Sequence, residues 1–233
     1  FALLGFVYRY AAGAGCRPPA FTAAFLFVGT VFSIAVSAGQ PTVWHDARLW
    51  LLGCGMGIAI FCAVALVAFL NRVGPASVVW TVINLSVLLT ILLARLVLAE
   101  RLVVADGLVL LLFAAMVASL SQGIRSAQET PRGGMACFWL LLSAAFVLNG
   151  LFAFGMKVKE VWLGPDSSAG LAAIFYGAGT LLAVVFFAVA HGTVRFTAAE
   201  WRTGTLAGLC SGLGNILFLA GMELPAVVAF PVA

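Results

Sequence analysis

The stretch that decides the fold is GPASVVWTVINLSVLLTILLARLVLAER, residues 74–101. It begins next to Pro75, which the first turn of a helix tolerates because proline has no N–H to donate. From Val73 to Ala94 the chain carries no charge, and a helix of that length crosses the apolar core of a bilayer. The stretch therefore predicts a membrane-spanning helix, closed by Arg95 and the pair Glu100–Arg101.

The rest of the chain has the same character. Apolar residues make up 64% and charged residues 9% of the sequence, whereas a soluble domain carries roughly 25% charge. Charge-free runs of about 18 residues or more lie at 18–45, 49–71, 73–94, 107–124, 133–156, 167–194 and 203–222. These runs do not alternate between apolar and polar residues, as the strands of a transmembrane β-barrel do. We predict an all-α, multi-pass protein whose partner is the lipid bilayer of an inner or plasma membrane.

The predicted helices are separated by short polar links. Helix one covers residues 1–8 and is expected to have lost its N-terminal half, because the loop Arg9–Pro19 follows at once. The later helices are predicted at 20–38, 49–70, 73–94, 103–123, 135–157, 168–190, 201–221 and from 224 onward. Lys157 is expected to end the sixth helix and to reach the membrane interface with its amine, with anion binding as the alternative.

The sequence repeats itself at an offset of 150 to 151 residues. Gly29–Thr30 aligns with Gly179–Thr180, and Pro75–Ala76 with Pro225–Ala226. The third helix contributes a longer match, in which Trp50, Gly53 and Gly57 align with Trp201, Gly204 and Gly208. We predict a first repeat at 1–124, an inter-repeat loop at 125–134 and a second repeat at 135–233.

Each predicted repeat contains five helices. Because five is odd, two copies in one membrane are inverted relative to each other, with ten helices expected in full and about nine present here. Inverted repeats place a binding site near the midplane, at the interface between the two copies. The four-residue glycine spacing of Gly204, Gly208 and Gly212 predicts close helix packing, with a sliding surface as the alternative.

Neutral polar residues are the candidates for a site. Asn84, Asn149 and Asn215 lie inside predicted spans, where an amide must find a partner in protein or in a water-filled cavity. They are predicted either to bind a substrate or to join helices. Trp80, and Phe230 at its place in the second copy, are further substrate-binding candidates, with interfacial anchoring as the alternative.

Other chemistry is not expected. In the sequence no Asp or Glu lies deep in a predicted span, which argues against a carboxylate-coupled cation antiporter. The sequence shows no metal-ligand spacing, nucleophile–base pair or phosphate-binding loop, so we predict no enzyme, no catalytic residue, no metal and no cofactor. The net charge of +4 comes from scattered basic residues, which does not favour nucleic-acid binding.

The segments Pro75–Ala76–Ser77 and Leu98–Ala99–Glu100–Arg101–Leu102, within two five-helix halves, resemble the "PAS…GERL" signature of the drug/metabolite transporter superfamily. The EamA-like ten-helix branch is the most similar, although Ala99 replaces its usual glycine. The resemblance implies a secondary-active transporter of a small metabolite, such as an amino acid, a sugar or a related compound, and in many members an exporter. It implies a cavity whose lining would include Asn84, Asn149, Asn215 and Trp80. A membrane channel or scaffold, and a lipid enzyme, are the alternatives, and a homodimer is left open.

Overall fold

The structure is a computed structural model that describes residues 2–38, 44–98, 111, 115, 134–164, 167–192 and 195–220. Within these ranges the chain forms helices and short turns, without a β-strand, which confirms the all-α prediction for them. The helices are α1 (Ala2–Gly13), α2 (Pro18–Ser37), α3 (Ala47–Val73), α4 (Ala76–Leu85), α5 (Val87–Val97), α6 (Met135–Leu163), α7 (Ser168–His191) and α8 (Ala198–Ala220). The predicted helix at 103–123, the loop at 125–133 and the helix from 224 lie outside the described residues, apart from Leu111 and Ala115, which are helical.

Five helical segments of the described chain are long and apolar enough to cross a membrane. They are Pro18–Ser37, Ala47–Val73, Ala76–Val97, Met135–Leu163 and Ser168–His191. Their outer faces carry large apolar side chains that are exposed, including Val31, Leu51, Leu140, Leu181 and Val189. Apolar groups on this scale are stable against lipid rather than water, so the chain is a membrane-embedded helical protein.

Two helices run five or more residues past their predicted ends. Helix α1 continues through Arg9 to Gly13, and α6 continues through Lys157 and Lys159 to Leu163. A charge does not end a helix, whereas a residue with positive φ does. Gly15 (φ 72°) follows α1 and Gly164 (φ 73°) directly follows α6, a conformation that glycine adopts without a steric cost.

The fourth predicted helix is interrupted in its middle. A turn at Ser86 separates α4 from α5, and the Ser86 N–H donates to the Ile83 carbonyl at 3.0 Å, one residue short of helical spacing. The Asn149 amide nitrogen of α6 donates to the same carbonyl at 3.4 Å and to the Ser86 hydroxyl at 2.7 Å. A side chain that hydrogen-bonds a backbone carbonyl in place of the helix's own N–H bends the helix. The bond from Asn149 to the Ile83 carbonyl therefore explains the break.

Glycines allow α3 and α7 to lie backbone to backbone. A Cβ on Gly53 would lie 2.5 Å from Ile174, and one on Gly57 would lie 2.8 Å from the Phe175 carbonyl oxygen and 2.6 Å from the Cβ of Ala178. From Gly53 to Gly57 along α3, the contact moves from Ile174 to Ala178 along α7. The two helices therefore run parallel.

Helices α8 and α2 pack by the corresponding contacts. A Cβ on Gly204 would lie 2.5 Å from Ala24, and one on Gly208 would lie 2.6 Å from the Phe25 carbonyl oxygen and 2.8 Å from the Cβ of Val28. The glycines of α3 and α8 therefore both pack against neighbouring helices, which confirms the close packing predicted for Gly204, Gly208 and Gly212.

The middle parts of α2 and α7 meet each other. A Cβ on Gly29 would lie 2.7 Å from the Tyr176 ring, and one on Gly179 would lie 3.3 Å from Leu26. The hydroxyl oxygens of Thr30 and Thr180, which are 150 residues apart, lie 3.0 Å from each other. The interior of the bundle is thus built where helices of the two predicted halves touch.

Candidate functional site

A cavity of about 390 Å³ lies among helices of both predicted halves. Helices α1 to α6 and α8 contribute to its wall. The described residues that line it are Leu4, Tyr8, Phe25, Ile60, Ala63, Val64, Val67, Trp80, Ile83, Asn84, Ser86, Val87, Asn149, Phe152, Ala153, Met156, Ser211, Asn215 and Phe218. The wall is mostly apolar, and its polar groups in the described chain are uncharged.

The structure brings four of the predicted site residues to this one cavity. Asn84, Asn149, Asn215 and Trp80 all line it, although they come from α4, α6 and α8. Asn84 is exposed, Asn149 is half-buried and Asn215 is buried. Phe230 lies outside the described residues.

A buried hydrogen-bond network holds Asn215 in place. Its amide nitrogen donates to the Tyr176 hydroxyl at 2.6 Å and to the Ser211 hydroxyl at 3.2 Å, and the two hydroxyl oxygens lie 2.7 Å apart. Tyr176 reaches this position because Gly29 leaves room for its ring. A fully buried network of this kind fixes the orientation of its members, so Asn215 is both a packing residue and a wall residue.

Asn149 is also held by hydrogen bonds. Its amide nitrogen is occupied by Ser86 and Ile83 at the helix break. The Thr90 hydroxyl donates to the neighbouring Gly150 carbonyl at 3.1 Å. The interrupted span is therefore tied to α6 by polar contacts at the depth of the cavity.

Aromatic rings close one end of the cavity. The ring of Tyr8 lies edge-on to Trp80 at 5.3 Å and to Phe21 at 4.8 Å, and Phe21 stacks with Phe25 at 6.3 Å. The indole nitrogen of Trp80 is buried and has no hydrogen-bond partner among the described residues. Such edge-to-face contacts stabilise beyond the area that they bury, so this end is firmly packed.

An ion pair joins the beginnings of α2 and α8 beside that end. Glu200, 1% exposed, accepts from the Arg17 side chain at 2.8 and 2.9 Å and from the Arg17 backbone N–H at 3.0 Å. It also accepts from the Thr197 N–H at 2.8 Å, and Thr197 accepts from the Glu200 N–H. Burial alone would raise the pKa of Glu200, but the bonds from Arg17 and Thr197 outweigh burial and lower it to about 2.

Sequence reasoning missed this pair and the network around Tyr176. The spacing Thr197-x-x-Glu200 is that of a capping box at a helix N-terminus and indicates Glu200 as a structural residue. No local pattern indicates that Arg17, 183 positions away, would reach it. The expectation that Lys157 ends its helix is wrong, because α6 continues to Leu163. Lys157 is buried, as is Lys159, whose amine donates to the Ser168 hydroxyl at 2.7 Å.

These features define a class: a membrane-embedded helical protein with an apolar cavity that carries neutral hydrogen-bonding groups. No protein-family model, curated protein or solved structure matches the chain.

Proposed function

We propose that this chain is a secondary-active transporter that moves a small metabolite across the cell membrane by alternating access. The observation that carries the proposal is the shared cavity. Asn84, Asn149 and Asn215, which the sequence indicated as site candidates, lie on three separate helices and line this one cavity. Amides placed in a cavity inside a membrane protein are typical of a solute pathway. The resemblance to the EamA-like branch of the drug/metabolite transporters is part of this proposal.

The proposal includes two inverted repeats. Gly53 of α3 faces Ile174, and its repeat equivalent Gly204 faces Ala24, the equivalent of Ile174. Gly57 and Gly208 exchange contacts in the same manner with the carbonyls of Phe175 and Phe25. Reciprocal contacts of this type arise when two copies are related by a two-fold axis, which supports a duplicated unit.

The direction of the helices supports inversion. The Arg17 guanidinium, just before α2, lies 5.0 Å from the centroid of the Phe187 ring, near the end of α7. The beginning of α2 therefore lies beside the end of its repeat equivalent α7, as it does when two helices run in opposite directions. Equivalent helices that are antiparallel place the two-fold axis in the membrane plane, which is the arrangement used for alternating access.

Flux measurements in proteoliposomes test the proposal. Purified protein is reconstituted, and uptake of a labelled metabolite panel is measured with Asn84→Ala, Asn149→Ala and the wild type. Asn71→Ala is the matched control, because Asn71 lies on α3 outside the cavity lining and donates to the Val67 carbonyl. We expect saturable flux that both cavity variants reduce roughly tenfold, the equivalent of one hydrogen bond.

Three outcomes contradict the proposal. Flux that does not saturate with concentration would favour a channel. Equal flux in the wild type and both cavity variants would remove the amides from the solute pathway. A protein that moves no member of the panel in either direction would favour the scaffold alternative.

A further inference from the structure

We infer that the cavity binds an uncharged molecule with an apolar, ring-containing body that donates a hydrogen bond to the wall. The inference rests on the proposed function only in taking this cavity as the substrate site. It specifies the charge of the ligand and the direction of the hydrogen bond, neither of which the transport proposal requires.

The direction of the hydrogen bond follows from Asn149. A backbone carbonyl can only accept, so the Asn149 atom that bonds Ile83 O is the amide nitrogen. That nitrogen also bonds the Ser86 hydroxyl at 2.7 Å, and its two hydrogens are then used. The remaining atom, Asn149 Oδ1, has no hydrogen bond to any residue that the structure describes, and it belongs to a residue on the cavity wall. It offers the ligand an acceptor.

Asn215 offers a second hydrogen-bonding group from α8. One end of its amide bonds the hydroxyls of Tyr176 and Ser211, at 2.6 and 3.2 Å, and because a hydroxyl can donate or accept, these contacts fit either orientation of the amide. Asn84 is exposed and makes no side-chain hydrogen bond within the described ranges, so its amide can donate or accept. The wall therefore offers a free acceptor at Asn149 Oδ1, and donors are available at Asn84 and at the Trp80 indole.

The apolar part of the wall determines the body of the ligand. Five rings line the cavity, those of Tyr8, Phe25, Trp80, Phe152 and Phe218. Aromatic walls bind flat apolar groups by edge and face contacts. The volume of about 390 Å³ is in the range of small-molecule sites, roughly 300–1,000 Å³.

Charge is disfavoured by the same wall. An ion that leaves water for apolar surroundings loses its hydration, and it is bound only when a counter-charge or several hydrogen bonds replace that hydration. Among the described lining residues the polar groups are amides, hydroxyls and one indole. The nearby carboxylate of Glu200 is already bonded to Arg17 and Thr197.

A panel of four indoles separates these alternatives. Tryptophol is uncharged, tryptamine is a cation, indole-3-acetate is an anion and tryptophan is a zwitterion, and all four share one ring system. Binding of each tritiated compound to the purified protein is measured by scintillation proximity. We expect tryptophol to bind at least roughly tenfold more tightly than each charged compound.

Two further arms test the direction of the hydrogen bond. The analogue 1-methyl-3-(2-methoxyethyl)indole keeps the body of tryptophol but cannot donate, and we expect roughly tenfold weaker binding. Asn149→Ala should weaken tryptophol by a similar factor, whereas Asn71→Ala should not. Ala153→Phe fills the cavity one turn from Asn149 without removing an amide, and it should abolish tryptophol binding if the ligand lies in this cavity.

Each outcome is decisive. Equal or tighter binding of tryptophan, tryptamine or indole-3-acetate overturns the inference, as does an analogue that binds as well as tryptophol or a panel in which nothing binds. The proteoliposome assay separates this failure from failure of the transporter proposal. If a charged solute is transported and Asn149→Ala reduces its flux, the transporter proposal is supported and the inference of an uncharged ligand fails. If tryptophol binds but no solute is transported, the inference of an uncharged ligand is supported and the transporter proposal fails.

Discussion

The two glycine contacts at the backbone carbonyls make the most demanding prediction about the fold. Gly57→Ala would place a methyl group 2.8 Å from the Phe175 oxygen, and Gly208→Ala would place one 2.6 Å from the Phe25 oxygen. Ordinary contact begins at about 3.4 Å, and a backbone carbonyl cannot rotate away as a side chain does. Each helix pair must therefore separate by about 0.6–0.8 Å.

The magnitude follows from that separation. A gap of about 0.5–1 Å loses a quarter to a half of each dispersion contact along a packed interface, and overpacked substitutions cost about 1–3 kcal/mol. We expect both alanine variants to lower the free energy of unfolding by about 1–3 kcal/mol, and by similar amounts, because the contacts at the two sites correspond.

Matched controls lie on the same two helices. Gly55 and Gly214 have no atom within 4 Å of an added Cβ, so Gly55→Ala and Gly214→Ala should be neutral or slightly stabilising, given the higher helix propensity of alanine. Unfolding is measured in mixed micelles of dodecyl maltoside and SDS by circular dichroism. Stability of Gly57→Ala equal to that of Gly55→Ala would refute the packing argument. Destabilisation at only one of the two contacts would refute their equivalence.

Three other predictions concern polar contacts. Glu200→Gln should lower the free energy of unfolding by about 1–3 kcal/mol, measured in the same micelles. Because the pKa of Glu200 is lowered from 4.5 to about 2, the extra stability of the wild type over Glu200→Gln should be complete above pH 4.5 and should vanish as the pH falls towards 2. Extra stability that persists at that pH would contradict the pairing of Glu200 with Arg17. Tyr176→Phe should cost about 1–3 kcal/mol by leaving Asn215 and Ser211 short of a partner, and unchanged stability would show the network to be dispensable. A double-mutant cycle of Thr30→Val and Thr180→Val should give a coupling energy of about 0.6 kcal/mol, whereas zero coupling would mean that the two hydroxyls do not interact.

Much of the helical architecture was predictable because lipid leaves the backbone few choices. A chain segment inside a bilayer must satisfy its own N–H and C=O groups, and a charge-free run of sufficient length does so as a helix. The runs at 18–45, 49–71 and 167–194 became α2, α3 and α7 for that reason. The glycine spacing in α8 was readable as packing because small residues at every fourth position form one face.

The site was predictable in its residue types and not in its geometry. An amide in an apolar span requires a partner, which singled out Asn84, Asn149 and Asn215 before any contact was known. Which amide atom is occupied, and which remains for a ligand, depends on Ser86 and Tyr176, which reach those amides from other helices.

The sequence by itself determined that this chain is a bundle of membrane-embedded helices with amides in its spans, because hydropathy and the cost of an unpaired polar group act on each segment locally. Only the tertiary structure decided the break at Ser86, the pairing of Arg17 with Glu200 and the aromatic closure around Tyr8. Those features arise where side chains distant in sequence compete for the same carbonyl, carboxylate or space, and no local pattern records that competition.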